Sequence, residues 1–395
     1  MNYIQKTGYF ILLFIIFIVG IIIITLTTHR IFYPFWNSQP VAWTSLLKAK
    51  EGIIIDNPRQ IPCSLKVPEF MKIKKLVIPY QNKERIKFMK THQIYWSSIT
   101  KLLLTNGMDN NASFTTNYIT WNLSYPGSTI YCVIFGNKII GVLQNIPIMV
   151  DTPYHQNLPC QWLDYLCVNK KYRGKSVVSK NIATTLMEHA ICDSSHSNKN
   201  IKDKIPVGLF ITEKKLPFAF AAQFIRMVSI IQPSLIPDQN IKPTYKIVNT
   251  IKDLPLKAFE SSDVRIHGGA TLEPSSNTKY KNIFWNFVIN NPYHVVLSIH
   301  NEDWIYLQKM PNENGIPVFS LIGFSFKNDS DVVLHLLHYL SSQKEKEIKF
   351  IVKSPVDKLF NKKLIWELYD VHYLYFYNYR INYKNIYIPN TWNIS

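Results

Sequence analysis

The chain has 395 residues, which is enough for one large core or for two domains of ordinary size. It carries 44 Lys and Arg against 26 Asp and Glu, and this net charge of +18 suits a partner that bears phosphate groups. No RNA-binding signature or zinc-finger spacing accompanies the charge, so nucleic acid is not the expected partner. The five cysteines include no CxxC pair, which argues against a disulfide framework and against a metal site.

Residues 7–28, TGYFILLFIIFIVGIIIITLTT, carry no charge. As a helix they are long enough to cross about 30 Å of hydrocarbon. The alternative is a cleaved signal peptide, but its apolar core would span only about 7–15 residues and a small-residue cleavage site would follow it. The sequence therefore predicts a single-pass membrane anchor, and a slight excess of positive charge after it favours a body that faces the cytosol.

The stretch YPFWNSQPVAW at 33–43 follows this segment and contains two prolines, so it predicts an extended arm. The alternative is a hydrophobic strap that lies on the domain. Residues 51–80 are broken by prolines and predict extended structure, whereas residues 86–104 favour helices.

From residue 129 the pattern predicts strands. TIYCVIF and IIGVLQNIPIMV flank a Gly-Asn turn, which indicates a β-hairpin, and LDYLCV (163–168) predicts the next strand. Val178, Ile182, Leu186 and Ala190 recur at four-residue spacing and predict one apolar face of a helix. A polar loop is expected from Asp193, followed by a buried strand at VGLFIT (207–212).

The second half shows a similar alternation. A helix-like stretch begins near residue 280, and YHVVLSI and DWIYLQ then predict a hairpin. VFSLIGFSF, a helix near 330–342, EIKFIV and HYLYFYNYRI complete the pattern. A duplication of one α/β unit is consistent with this order.

Four cations lie between the predicted strand and the predicted helix, at Lys170, Lys171, Arg173 and Lys175. A glycine and small residues at a helix start allow backbone N–H groups to face an anion, and the helix dipole adds partial positive charge. A solvated charge cluster is the alternative, but the flanking strand and helix favour a phosphate site. GxxxxGK[ST] and GxGxxG are both absent, which excludes a Walker A loop and disfavours a dinucleotide fold.

YRGKSVVSKNI resembles the acyl-CoA loop of the GNAT acetyltransferase superfamily. Other stretches resemble the glycylpeptide N-tetradecanoyltransferase (N-myristoyltransferase) family in family order across residues 33–395. They are YPFWNSQPV, YITWNLSYPG, IIGVLQNIPIMV, LDYLCVNKKYRGKSVV, FITEKKLPFAF and YLYFYNYRI.

The resemblance implies an α/β (α+β) fold of two tandem GNAT-like units that share a saddle-shaped mixed sheet flanked by helices. With the anchor at 7–28, it places an acyl-CoA-binding unit at 31–230 and a peptide-binding unit at 231–395. The implied reaction transfers a myristoyl group from myristoyl-CoA, a cosubstrate, to the N-terminal glycine amine of acceptor proteins. No permanently bound cofactor and no metal are implied.

The resemblance also assigns roles to individual residues. The amides of Tyr165 and Leu166 would form an oxyanion hole, Thr212 would hold the amine, and the terminal carboxylate of Ser395 would be the base. Cys167 would be a packed strand residue and not a nucleophile. The residues that would contact the coenzyme are Tyr33, Pro34, Phe35, Trp36, Leu166, Cys167, Val168, Arg173, Gly174, Lys175, Ser176, Val177 and Val178.

Several positions depart from the family pattern. Asp164 replaces an Asn, Ser176 replaces a cation, and the terminal NTWNIS is more polar than the usual ending. Two alternatives therefore stand beside the leading hypothesis. One is a related N-acyltransferase with another acyl chain or acceptor, and the other is an inactive homologue that still binds acyl-CoA.

Overall fold

The computed structural model describes the chain in segments, which are 3–32, 53–54, 71–107, 113–150, 158–173, 182–196, 207–213, 222–233, 245–255, 285–301, 303–325, 332–353, 364–377 and 379–380. The helices with named bounds are α1 Tyr3–Phe32, α2 Asn82–Thr91, α3 Gln93–Asn106, α4 Thr116–Leu123, α5 Ile182–His196 and α6 Val332–Ser341, and residues 285–289 are also helical. The strands are β1 Ile53–Ile54, β2 Met71–Val77, β3 Thr129–Phe135, β4 Lys138–Val150, β5 Leu158–Val168, β6 Gly208–Thr212, β7 Ala222–Ile231, β8 Tyr245–Ile247, β9 His294–Ile299, β10 Asp303–Glu313, β11 Ile316–Ser325, β12 Ile348–Lys353, β13 Glu367–Tyr377 and β14 Tyr379–Arg380.

Strands β2 to β13 form one twelve-stranded mixed sheet in the order β2-β3-β4-β5-β6-β13-β7-β12-β11-β10-β9-β8. From each edge of the sheet towards its centre, neighbouring strands pair antiparallel until they reach one parallel pair. This pair is β5–β6 on one side and β11–β12 on the other. At the centre, β13 lies beside β6 and β7 lies beside β12, so each half receives its innermost strand from the other. This repeated order matches the predicted mixed sheet.

The boundaries predicted at 31–230 and 231–395 stay a prediction. Strand β13 belongs to the second range, but it pairs with β6 and β7 of the first. A core cluster also joins the halves, because Tyr125 packs with Trp285, Phe287 and Trp304. The two halves therefore share both sheet and core.

Helix α5 packs on β3, β4 and β5 as its periodicity predicts. Ile182, Leu186 and Ala190 are all buried, whereas Val178 lies outside the described residues. A Cβ at Gly141 of β4 would lie only 2.6 Å from Ile182 Cγ2, so the small residue allows the close approach of helix and sheet. The polar loop predicted from Asp193 begins later than expected, because α5 continues to His196.

The predicted hairpins form. Strands β3 and β4 pair antiparallel around Gly136, whose φ of 58° places it in the left-handed region that favours glycine. Strands β9 and β10 pair in the same way in the second half. Helices α2 and α3 occupy the region where residues 86–104 predict helical structure.

The amino-terminal residues form α1, and its large apolar side chains from Tyr9 to Ile24 are mostly exposed. Of the helices in the described segments, none combines the length and the hydropathy that crossing a membrane requires. The transmembrane segment predicted at 7–28 is thus not supported by the structure. The arm predicted at 33–43 lies outside the described residues.

Candidate active site

A cavity of about 380 Å³ lies where strands β5 and β6 separate. Their parallel pairing covers Gln161↔Gly208 and Trp162↔Leu209, and the described part of β5 continues to Val168 without further pairs to β6. Residues of β5, β6 and β13 line the cavity, together with Met187 of α5 and Leu103 of α3. This volume falls within the range of about 300–1,000 Å³ that is usual for small-molecule sites.

A β-bulge lies in β5 at the wall of this cavity. Val142 of β4 pairs with Cys167 and Gln144 pairs with Asp164, so two residues of β5, Tyr165 and Leu166, lie opposite one residue of β4. The φ of Tyr165 is +51°, a left-handed conformation that is unusual for an aromatic residue. Bulges of this kind redirect backbone and side-chain groups and are common beside active sites.

Packing and hydrogen bonds hold the bulge in place. Asn122 of α4 donates its side-chain amide to the Tyr165 hydroxyl at 3.2 Å. The buried Gln144 donates its own amide to the Leu123 carbonyl at 3.1 Å, which ties β4 to the end of α4. The surrounding fold therefore compensates for the unfavourable conformation of Tyr165.

Asp164 stands beside the bulge and also lines the cavity. Its Oδ1 accepts a hydrogen bond of 2.7 Å from the Tyr165 backbone N–H. Burial raises the pKa of the Asp164 carboxyl to about 6, although this hydrogen bond acts in the opposite direction. Asp164 is therefore a carboxylate that changes charge close to neutral pH.

The next part of β5 leads into the cationic loop. Cys167 is buried against Leu102 and Gly107 of the α3 region, and burial raises the pKa of its thiol against the opposing effect of Arg173. These surroundings agree with a packed strand residue. Arg173 Nε donates to the Val168 carbonyl at 2.7 Å, so its guanidinium supports the turn after the strand.

A charged cluster on β7 and β13 adjoins the cavity. Arg226 donates two hydrogen bonds to the Asp370 carboxylate, one of them 2.8 Å long from Nε. His372, which lines the cavity, places Nε2 3.0 Å from Asp370 Oδ2. Burial of Asp370 would raise the pKa of its carboxyl, but the hydrogen bonds from His372 and Arg226 outweigh it and lower that pKa.

The structure brings several predicted site residues together. Tyr165, Leu166, Cys167 and Thr212 line the same cavity, with Val168 buried just beyond it. Arg173 is described in the turn just after β5. The remaining predicted residues lie outside the described part of the chain, namely Tyr33, Pro34, Phe35, Trp36, Gly174, Lys175, Ser176, Val177, Val178 and Ser395.

Sequence reasoning missed the His372 cluster and the support from Gln144. The cluster forms only because β13 crosses to lie beside β7, which no local pattern reveals. Alternation along β4 does place Gln144 on the same face as the buried Val142, and this signal was available from the sequence.

No protein-family model matches the chain, and no curated protein matches it in sequence. Solved structures do match in fold. A crystal structure of Saccharomyces cerevisiae N-myristoyltransferase with bound myristoyl-CoA aligns over 91% of this chain and 97% of its own, with a TM-score of 0.58 and 15% identity. A second structure of the yeast enzyme with myristoyl-CoA aligns over 88% of each chain, with a TM-score of 0.60 and 14% identity.

At these identities the likeness concerns the fold alone. The chain has the fold of N-myristoyltransferase, so the resemblance expected from the sequence is confirmed at that level.

Proposed function

We propose that the protein is an N-acyltransferase that moves a tetradecanoyl chain from myristoyl-CoA to the amine of an N-terminal glycine. The observation that carries this proposal is the bulge at Tyr165 and Leu166, which lies at a cavity between separating strands. The shared fold with an enzyme whose solved structure holds myristoyl-CoA supports it further.

The chemical role of the bulge is to stabilise negative charge. Attack of an amine on a thioester places a negative charge on the carbonyl oxygen, and fixed backbone donors stabilise that charge. The amides of Tyr165 and Leu166 would provide the donors. Removal of one such donor costs about 10²–10³ in rate in enzymes of this kind.

The coenzyme would lie along the loop that follows β5. Arg173, Lys175 and the amides of Gly174 to Val178 would bind its pyrophosphate, and Tyr33 to Trp36 would lie against it. The turn that Arg173 supports and the positive charge of the chain favour this placement.

The acceptor amine would enter beside Thr212, which lines the cavity at the end of β6. The amine must lose a proton before it attacks. The resemblance assigns the role of proton acceptor to the terminal carboxylate of Ser395. Among the described residues that line the cavity, Asp164 and Glu213 are the carboxylates that could accept the proton instead.

Transfer is tested by incubating the full-length protein with acyl-CoAs of graded length and a Gly-starting peptide, while CoA release is followed. The matched control is the same peptide with an acetylated amino terminus. We expect CoA release only with the free amine and fastest with the 14-carbon chain. An optimum at another length would indicate an acyltransferase of other specificity, and binding without release would indicate an inactive homologue.

Membrane attachment is a separate proposal. We propose that α1 attaches the body to a membrane with Tyr33–Ser395 in the cytosol, where acyl-CoA and nascent chains are found. The uncharged stretch 7–28 and the exposed apolar side chains of α1 support this. Protease treatment of sealed vesicles should digest the body, and protection of the body would contradict the proposed orientation.

A further inference from the structure

One side chain competes for the backbone donor that the proposed function needs. Asp164 Oδ1 lies 2.7 Å from the Tyr165 nitrogen and accepts its hydrogen bond. The inference drawn from this contact rests on the proposed function, because it assigns a role in the same reaction.

The carboxylate and the developing oxyanion require the same N–H group. While Asp164 is ionised, it occupies the donor and repels a second negative charge at short range. The thioester oxygen can therefore gain the full benefit of the Tyr165 amide only after Asp164 becomes neutral.

The reaction itself supplies the proton that neutralises it. We propose that Asp164 accepts the proton of the attacking ammonium group and, once neutral, yields the Tyr165 N–H to the oxyanion. Deprotonation of the amine and assembly of the oxyanion hole then become one event at adjacent atoms.

Amide formation begins with proton transfer to Asp164. The ammonium passes one proton to a carboxylate oxygen of Asp164, and its nitrogen lone pair forms a bond to the thioester carbon. The carbonyl π electrons move to oxygen, which the amides of Tyr165 and Leu166 bind. When the oxygen electrons return, the carbon–sulfur bond breaks, the thiolate takes the second proton from nitrogen as free CoA thiol, and Asp164 releases its proton to solvent.

Other titratable groups around the cavity suit this role less well. Glu213 is exposed, whereas Asp164 is partly buried beside the bulge. His372 Nε2 is directed at Asp370. Tyr165 and Cys167 are the titratable neighbours on β5, and burial raises the pKa of both side chains. Within the described residues, α3 and α5 present only Leu103, the following Gly107 and Met187 to the cavity.

The raised pKa of Asp164 also suits the role of proton acceptor. A peptide amine has a pKa of about 8, so transfer to an ordinary α-carboxyl of pKa about 3.5 is unfavourable by roughly 10⁴-fold. For Asp164, with its pKa raised to about 6, the same transfer is unfavourable by only about 100-fold. A pKa closer to the working pH is the property expected of a general base.

The test is Asp164→Asn in the full-length protein, because the amide keeps the shape of the side chain but accepts no proton. We expect kcat to fall by about 10²–10⁴ while myristoyl-CoA affinity by calorimetry stays unchanged. The wild-type rate should rise with pH through about 6, as the ionised form of Asp164 becomes populated, and this limb should vanish in the variant. Glu345→Gln, which changes an exposed carboxylate outside the cavity, is the matched control and should keep most of its rate.

A second acceptor separates proton transfer from a structural effect. A peptide whose terminal glycine is replaced by aza-glycine presents a hydrazide-type H₂N–NH–CO– nitrogen that is already neutral at the assay pH, so Asp164→Asn should slow its acylation far less than it slows the glycine amine. Equal losses with both acceptors, or a variant that keeps the wild-type rate and pH limb, would overturn the assignment. A wild-type protein that acylates neither acceptor would instead overturn the proposed function and this inference with it.

Discussion

A partly buried ion pair lies at the junction of the two halves, and Asp370→Asn tests its contribution to stability. Arg226 of β7 and Asp370 of β13 meet across the central strands with side-chain exposures of 10% and 29%. Removing one partner of a buried pair leaves the other charge uncompensated, which typically costs about 3–5 kcal/mol. Because Asp370 is partly exposed and solvent screens it, we expect a loss of about 2–3 kcal/mol in the free energy of unfolding.

Urea unfolding followed by fluorescence measures this loss, and Lys246→Met is the control because it breaks an exposed pair with Asp253. The control should change the midpoint little. Replacing both partners, with Arg226→Met and Asp370→Leu, should recover much of the loss, because neither charge of the pair is left without the other. A midpoint for Asp370→Asn equal to that of the control would show that the pair contributes little to stability.

The same pair predicts the pH dependence of stability. The folded-state pKa of Asp370 is lowered, so its contribution is fully present above the unfolded value of about 3.9 and is lost as pH falls through the folded value. The difference in stability between wild type and Asp370→Asn should therefore shrink only below about pH 4.

Three further changes address the site. Gly141→Val places a Cβ about 2.6 Å from Ile182 Cγ2, so α5 must shift. Calorimetry should then show weaker binding of myristoyl-CoA. Unchanged affinity would show that the position of α5 does not affect the coenzyme site. The double variant Arg173→Ala, Lys175→Ala should weaken myristoyl-CoA binding by about tenfold or more, since each charged hydrogen bond contributes about 1.5–3 kcal/mol. A variant that binds myristoyl-CoA as tightly as the wild type would refute the assignment of this loop to the phosphates. A few residues added after Ser395 should leave most of the rate if Asp164 is the base, whereas a loss of about 10²–10⁴ would assign the base to the terminal carboxylate.

Local patterns in the sequence were sufficient for the elements around the site. The spacing of Ile182, Leu186 and Ala190 identifies the buried face of α5, because one helical turn brings these side chains together. Gly136 marks the β3–β4 hairpin, since its positive φ is easily adopted only by glycine. These signals depend on neighbours within a few residues.

The details that shape the candidate site depend on distant parts of the chain. Nothing local favours a left-handed conformation for Tyr165, which is tolerated because α4 and β4 pack around it. The contact of Arg226 with Asp370 spans 144 positions and requires the exchange of strands between halves. Sequence resemblance placed Tyr165 and Thr212 in one site, but it did not reveal that Asp164 occupies the Tyr165 amide.

The position of the acyl group on the product tests the proposed reaction most sharply. Full-length protein, myristoyl-CoA and a peptide that begins with glycine and also contains an internal lysine should be incubated, and the product sequenced by tandem mass spectrometry. The proposed transfer predicts one tetradecanoyl group in amide linkage on the α-amine of the glycine, with an unmodified lysine. Two outcomes would contradict this transfer. One is a peptide that stays unmodified although the protein binds myristoyl-CoA, and the other is acylation of the lysine alone.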